Sequence, residues 1–407
     1  MIAAIRRGLR RKAEGGKRGS LGGHTNGSEP SGSPGLPGAN GKPQAADAYE
    51  AASQWRLMWW KFRKHKLAMI AVPVLLLLYL SAVFCNFLTP TIPTARFTEY
   101  KNAPPQHIRF VDPENGFSLR PFVYDLKQEM DKTTFRRTFT EDTTRKIPIR
   151  FFVQGEPYRL LWLFPTSVHL FGTDDPEAPL LLLGSDSLGR DLFTRILYGA
   201  RISLSFGLVG IALTLVLGLI LGGISGYLGG AVDTLIQRII DLLVCIPTIP
   251  LWMALAAALP RSWTPLQTYF GMILIFSIID WTGLARVVRG KVLSLREEDF
   301  TLAARLSGAS DMRIIVKHLL PSFSSYIIVA TTMAIPSTIL GETALSFLGI
   351  GLQPPVVSWG VLLQDAQNLQ TLAHQPWLLW PAAFVIATVL MFNFLGDGLR
   401  DAADPYK

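Results

Sequence analysis

Apolar residues fall along this chain in long runs separated by polar stretches, and their lengths predict helices that cross a membrane. Residues 67–88 run almost without polar interruption. At about 1.5 Å per residue such a helix reaches across a hydrocarbon core of about 30 Å. Further apolar runs at 202–228, 239–259, 267–287, 323–346 and 376–396 bring the number of expected spans to six. Backbone at membrane depth must satisfy its own hydrogen bonds, so each separate run reads as a helix.

Composition narrows the class. Of 407 residues, 49% are hydrophobic and 17% charged, against roughly 25% charged in a soluble domain. The net charge of +9 fits nucleic acid or a membrane surface, and the apolar content selects the membrane. Cys85 and Cys245 both sit in apolar stretches, which excludes a disulfide scaffold or a Cys-rich zinc site. His24, His65, His107, His169, His318 and His374 form no i,i+4 ligand pair, so no metal site is expected. A Gly-x4-Gly-Lys-Ser/Thr phosphate loop, His-Glu-x2-His and Gly-x-Ser-x-Gly are all missing, so catalysis by this chain alone is not expected.

Four segments follow from these patterns. Residues 1–50 are rich in Gly, Ser, Pro and basic residues and read as a disordered tail. Within it Arg6, Arg7, Arg10, Arg11 and Lys12 either meet anionic head groups or are simply solvated. Residues 51–88 are a basic lead-in and the first helix, retained because no small-x-small cleavage site follows. Residues 89–200 are charged, aromatic and punctuated by proline, and read as a small α+β insert outside the bilayer. Inside the insert, 147–164 is expected to form a hairpin turning around Gln154-Gly155-Glu156-Pro157. Residues 201–407 hold helices two to six.

Short-loop charge sets the orientation. Arg56, Lys61, Arg63, Lys64 and Lys66 place the N-terminus in the cytoplasm, and six crossings return the C-terminus there. The loop between spans four and five, with Arg286, Arg289, Lys291, Arg296, Arg305, Arg313 and Lys317, falls on the same side.

That loop, 296–321, carries the most specific pattern. Ala303 and Ala304 sit on a short helix broken at Gly308, and Ser310 or Asp311 can cap a second helix that stops at Pro321. Small alanines make a knob that fits a groove on another protein, and an ordinary amphipathic connector has the same pattern. Ala303, Ala304, Arg305, Gly308, Ala309, Ser310, Asp311, His318, Leu320 and Pro321 together resemble the EAA loop of ABC importer permeases, with Leu302 at the family's Glu and His318 at its Ile. The form Ala-Ala-Arg-x2-Gly-Ala-Ser-Asp resembles the dipeptide/oligopeptide branch. Three other stretches are similar to that branch: Gly184-Ser-Asp-Ser-Leu-Gly-Arg-Asp191 with Gly199-Ala-Arg-Ile-Ser-Leu204; Glu342-Thr-Ala-Leu-Ser-Phe-Leu-Gly349 with Pro354-Pro355 and Ser358-Trp-Gly360; and Asn393-Phe-Leu-Gly-Asp-Gly-Leu-Arg-Asp-Ala402 with Asp404-Pro405.

The resemblance implies the C-type permease of a pair, an all-α integral membrane protein of the type I ABC importer permease fold. It implies a second permease as heterodimer partner, two cytoplasmic ATPase subunits that use ATP and Mg, and an extracytoplasmic solute-binding protein. No cofactor on this chain, no nucleic acid and a prokaryotic plasma membrane belong to the same picture. The implied cargo is di- and oligopeptides, with oligosaccharides or nickel-type solutes as alternatives. A membrane-anchored enzyme or receptor with its activity in 89–200 is the competing class.

Within the spans, Gly218, Gly222 and Gly226 repeat every four residues, a ridge that lets a helix approach closely or that lines the substrate route. Pro247 and Pro250 in span three and Pro336 in span five are expected to kink their helices. Arg238, Asp241, Asp280 and Glu342 fall near span ends, where snorkelling or capping accounts for them and contact with substrate is the alternative. Substrate-binding residues stay unassigned.

Overall fold

A computed structural model describes residues 54–404 apart from 113–115, 131–136, 162, 174 and 176–177. The tail 1–50, with its arginines, Lys12 and His24, lies outside the described residues. Helix α1 (Gln54–Lys64) ends in Lys61, Arg63 and Lys64. His65 breaks the chain in an extended conformation, its ring accepting from Ala68 N at 3.1 Å, and so caps α2 (Lys66–Val83), the first span. A single turn, α3 (Cys85–Leu88), leads into the insert.

The insert is built from strands. Strands β1 (Arg109–Asp112), β2 (Gly116–Met130) and β3 (Arg137–Pro148) form an antiparallel sheet in the order β1-β2-β3. Strands β4 (Arg150–Leu160) and β5 (Phe164–Gly172) form a separate hairpin. Up to Asp191 the helical part of the expected α+β insert reduces, among the described residues, to one 3-10 turn at Thr98–Tyr100. Runs such as Phe122-Val-Tyr-Asp-Leu126 combine β-branched and aromatic residues that suit a pleated surface. Val123, Ile147, Ile149 and Leu180 form one small core there, and Tyr100, Leu126 and Leu181 another.

The expected hairpin is displaced. Gln154-Gly155-Glu156-Pro157 does not turn the chain; β4 runs through it and pairs with β5, and Ile147 belongs to β3. The pairing shifts register between Gln154 and Tyr158, so the extra residues are absorbed as a bulge. Gly155 is needed at that bulge because a Cβ would lie 2.7 Å from the His169 ring.

Among the described residues, five helices are long and apolar enough to cross a membrane: α2, α4 (Leu192–Leu228), α7 (Pro265–Leu295), α11 (Ser324–Phe347) and α14 (Trp380–Ala403, extended to Pro376 by a 3-10 turn). The third expected span is two shorter helices, α5 (Gly230–Cys245) and α6 (Thr248–Ala257), set at 90°. Counted as one bent crossing, the pair makes six. The bend has a local cause: Ile246 precedes Pro247 and is extended, as a residue before proline prefers. Pro250 falls in the first turn of α6, where no donor is lost. Pro336 lies inside the uninterrupted α11.

Helix α4 begins at Leu192 rather than near 202. Asp191 caps it, accepting from Phe193 N at 3.2 Å and Thr194 N at 3.0 Å. Short elements fill the gaps: α8 (Asp299–Leu306), α9 (Asp311–Ile314), a π-helical turn at Ile315–Leu319 and α10 (Leu320–Ser322), then α12 (Trp359–Leu363) and α13 (Leu369–His374). The main helical core joins Leu75 of α2, Ile196 and Leu204 of α4, Ile339 of α11, Trp359 of α12 and Phe392 of α14. Within the bilayer the alternative to this core is lipid rather than water, so it is held by close packing and not by transfer out of water.

Candidate functional site

The loop that follows α7 is anchored on one side and open on the other. Ile314, Ile315 and Leu319 pack with Tyr227, Val288, Val292 and Phe323 in a buried cluster. Thr301 is buried, and its Oγ1 donates to Leu295 O at 2.8 Å. Arg305 donates from Nη2 to the Tyr227 hydroxyl at 3.2 Å, with its guanidinium over that ring. Gly308 ends α8 with φ +77°, donating to Arg305 O at 3.0 Å while Ala309 N donates to Ala304 O at 3.2 Å. This is the paired bonding of a glycine-terminated helix, and a non-glycine residue in that conformation costs about 1–2 kcal/mol.

Ala303, Arg305, Gly308, Ser310, Asp311, His318 and Pro321 are exposed, whereas Ala304, Ala309 and Leu320 are half-buried. Ser310 occupies the N-cap position of α9 without a side-chain cap bond. Pro321 does not end the second helix as expected. It sits in the first turn of α10, after the π-helical turn, and the break comes at Phe323. The outer surface also shows Phe300, Leu302, Met312 and Val316, and Leu306 is 90% exposed, so apolar side chains face outward beside the charged ones.

Gly218, Gly222 and Gly226 are buried along the contact of α4 with α7. A Cβ on Gly218 would lie 2.8 Å from Leu284 Cδ2, on Gly222 2.6 Å from Ala285 O, and on Gly226 2.8 Å from Arg289 O. One residue beyond Gly222, Gly223 faces Ile315 of the loop, 3.0 Å from its would-be Cβ. The ridge and the loop are thus in direct mechanical contact.

The other motif residues gather in two buried knots. In the first, Asp186 accepts from Leu188 N and Arg190 N, both at 2.9 Å, from Arg190 Nε at 2.7 Å, and from Arg195 Nη1. Burial pushes the neighbouring Asp191 carboxyl up to about 6. In the second, Glu342 is fully buried and accepts from Ser203 Oγ at 3.2 Å and Ser346 Oγ at 2.8 Å. Trp359 N donates to Ser203 Oγ at 3.1 Å, and Trp359 Nε1 donates to Ile196 O at 3.1 Å. Glu342 therefore neither snorkels nor caps; it ties α4, α11 and α12 together. Trp359→Phe removes the indole donor and leaves the Ile196 carbonyl with only its helical hydrogen bond. The expected loss is about 0.5–1.5 kcal/mol, read as a lower melting temperature in detergent.

Asp241 pairs with Arg286 at 2.8 Å, and Arg238 is exposed on α5. Asp233, which sequence reasoning passed over, accepts from Arg289 Nε and Nη2, both at 2.6 Å, and fastens the start of α5 to α7. Asp280 is not near a helix end, because α7 continues to Leu295 and puts it halfway along.

A family model described as "binding-protein-dependent transport system inner membrane component" matches residues 215–406, and one described as the "N-terminal TM domain of oligopeptide transport permease C" matches 53–105. Residues 106–214, which include all five strands, lie between the two matches.

 The oligopeptide transport system permease protein OppC of Bacillus subtilis is 38% identical over 241 residues, 59% of this chain and 76% of the relative. The dipeptide transport system permease protein DppC of the same organism is 34% identical over 303 residues, 70% of this chain and 92% of the relative. The glutathione transport system permease protein GsiD of Escherichia coli O6:K15:H31 is 44% identical over 222 residues, 54% of this chain and 71% of the relative.

Proposed function

This chain belongs to the family of binding-protein-dependent transport-system inner-membrane components, in the branch of oligopeptide and dipeptide permeases, and on that premise we propose that it forms half of the translocation pathway of a di- and oligopeptide importer. It has the type I ABC importer permease fold, is a multi-pass membrane protein and has no ATPase of its own. The peptide cargo is supported by the oligopeptide, dipeptide and glutathione systems to which its relatives belong.

The complete importer pairs this subunit with a second, unlike permease, two cytoplasmic ATPase subunits that use ATP and Mg, and a solute-binding protein outside. Basic residues Arg63 and Lys64 at the end of α1 and Lys66 at the start of α2 support a cytoplasmic location for that end, in a prokaryotic plasma membrane. Counting crossings puts 296–321 on the same side and the 89–200 insert on the other.

The observation that carries the coupling role is the two-sided loop. Its inner residues Ile314, Ile315 and Leu319 are buried against α4 and α7, while Ala303, Gly308 and the apolar residues around them face outward. ATPase subunits seated on the outer surface therefore push on α4 and α7 through Ile315 and Gly223. A lever of this kind shifts an equilibrium only if it is held differently in the two states. Gly308→Arg and Ala303→Asp test it, the latter at an exposed position where a charge does not disturb the fold. In vesicles holding the whole complex, both are expected to lower peptide uptake per ATP hydrolysed by roughly tenfold or more, as loss of about 1.4 kcal/mol at the joint would do. Normal coupling in both variants refutes the docking role.

A further inference from the structure

A cleft of about 440 Å³ opens between α4, α5, α6, α7 and α11. It lies within the roughly 300–1,000 Å³ of small-molecule sites. Most of its wall is apolar, with Thr214, Thr248, Trp252, Asp280, Thr331 and Thr338 as its main polar groups. Asp280 is half-buried and stands at the middle of α7. The neighbouring carboxylates Asp233 and Asp241 are each held by an arginine, but Asp280 has no hydrogen-bond or ion-pair partner among the described residues. Gly283, one turn along and with nothing within 4 Å of its would-be Cβ, leaves the space beside it open. An ionisable group inside a membrane span is costly unless it serves a polar pathway.

The surrounding hydroxyls decide which ligand fits. Thr331 Oγ1 donates to Ile327 O at 2.8 Å, Thr338 Oγ1 to Ala334 O at 3.3 Å, and Thr282 Oγ1, also on the wall, to Ile279 O at 3.0 Å. Their protons are committed to their own helices, so what they offer the cleft is acceptor lone pairs. With the carboxylate, these make a wall of acceptors suited to an ammonium group, which brings three donors and one positive charge. The Trp252 indole Nε1 is buried without a partner among the described residues, leaving one donor for a peptide carbonyl.

We propose that this cleft holds the free amino terminus of a transiting peptide, with the Asp280 carboxylate as its counter-ion. The inference rests on the peptide-importer reading and adds a substrate-contacting residue to it. The whole complex in vesicles is assayed for uptake of a labelled dipeptide and for binding-protein-stimulated ATP hydrolysis, with Asp280→Asn and Asp280→Glu beside the wild type. Asp280→Asn is expected to lower uptake per ATP hydrolysed by at least about tenfold. Assembly and hydrolysis stay normal, and Asp280→Glu recovers most of the uptake. Unchanged uptake in Asp280→Asn overturns the proposal. So does equal loss in both variants, or loss of assembly together with uptake, which makes Asp280 a structural partner of another subunit. Wild-type vesicles that accumulate no peptide fail the peptide reading and this site with it; wild-type uptake matched by Asp280→Asn fails this site alone.

Discussion

Gly222→Leu is expected to abolish the folded permease, and Gly222→Ala to cost about 1–3 kcal/mol, at the upper end of that range for overpacking. The reason is what stands opposite. A Cβ at Gly222 would lie 2.6 Å from Ala285 O and 2.9 Å from Ala285 Cα, both backbone atoms of α7 that cannot rotate away. Gly218 and Gly226, one turn to each side, meet Leu284 and the backbone at Arg289 just as closely. The helices can accommodate a methyl only by separating along three turns, and separation forfeits the close packing that holds membrane helices together. Gly290→Ala on α7 is the control: nothing lies within 4 Å of its would-be Cβ, and alanine favours the helix by about 1 kcal/mol. Melting temperature and the monodisperse fraction in detergent separate the two. A Gly222→Ala protein as stable as the wild type would show that α4 and α7 do not depend on this contact.

Local pattern made some of this legible. The apolar runs located five long helices because a span needs only length and hydropathy, and Gly308 was readable as a helix stop because a left-handed turn requires glycine there. Pro247 marked the kink in span three, but an average over 239–259 is blind to how sharply the chain turns at Ile246–Pro247. The start of α4 was missed because Arg195 reads as a surface residue, whereas it is buried against Asp186 one turn beyond the Asp191 cap. Gly155 and Pro157 resemble a turn, but whether such residues turn or bulge is set by the partner strand. Ser203 lay in one motif and Glu342 and Trp359 in another, and no periodicity links positions more than a hundred residues apart. The two family models leave residues 106–214, the sheet insert among them, between their matches, which is also where sequence pattern had least to offer.

Asp186→Ala is expected to destabilise the protein by about 3–5 kcal/mol, the cost of removing one partner of a buried ion pair. Asp186 is fully buried and the Arg195 side chain is 4% exposed, so neither charge has water to fall back on. Arg195 Nε has no partner among the described residues, which leaves the guanidinium dependent on the carboxylate it meets through Nη1. The same carboxylate closes the loop before α4 by accepting from Leu188 N and Arg190 N, and Gly189 in that loop has φ +75° with no room for a side chain against Phe97. Two costs therefore combine in Asp186→Ala, a stranded charge and an opened loop, and they can be told apart. Asp186→Ala with Arg195→Met removes the stranded charge but not the opened loop, so it should recover part of the lost melting temperature. Asp186→Asn keeps an acceptor for the two backbone donors and should retain more stability than alanine at the same position. A double variant no more stable than Asp186→Ala would place the whole cost in the loop, and a stable Asp186→Ala would mean that Arg195 reaches water after all.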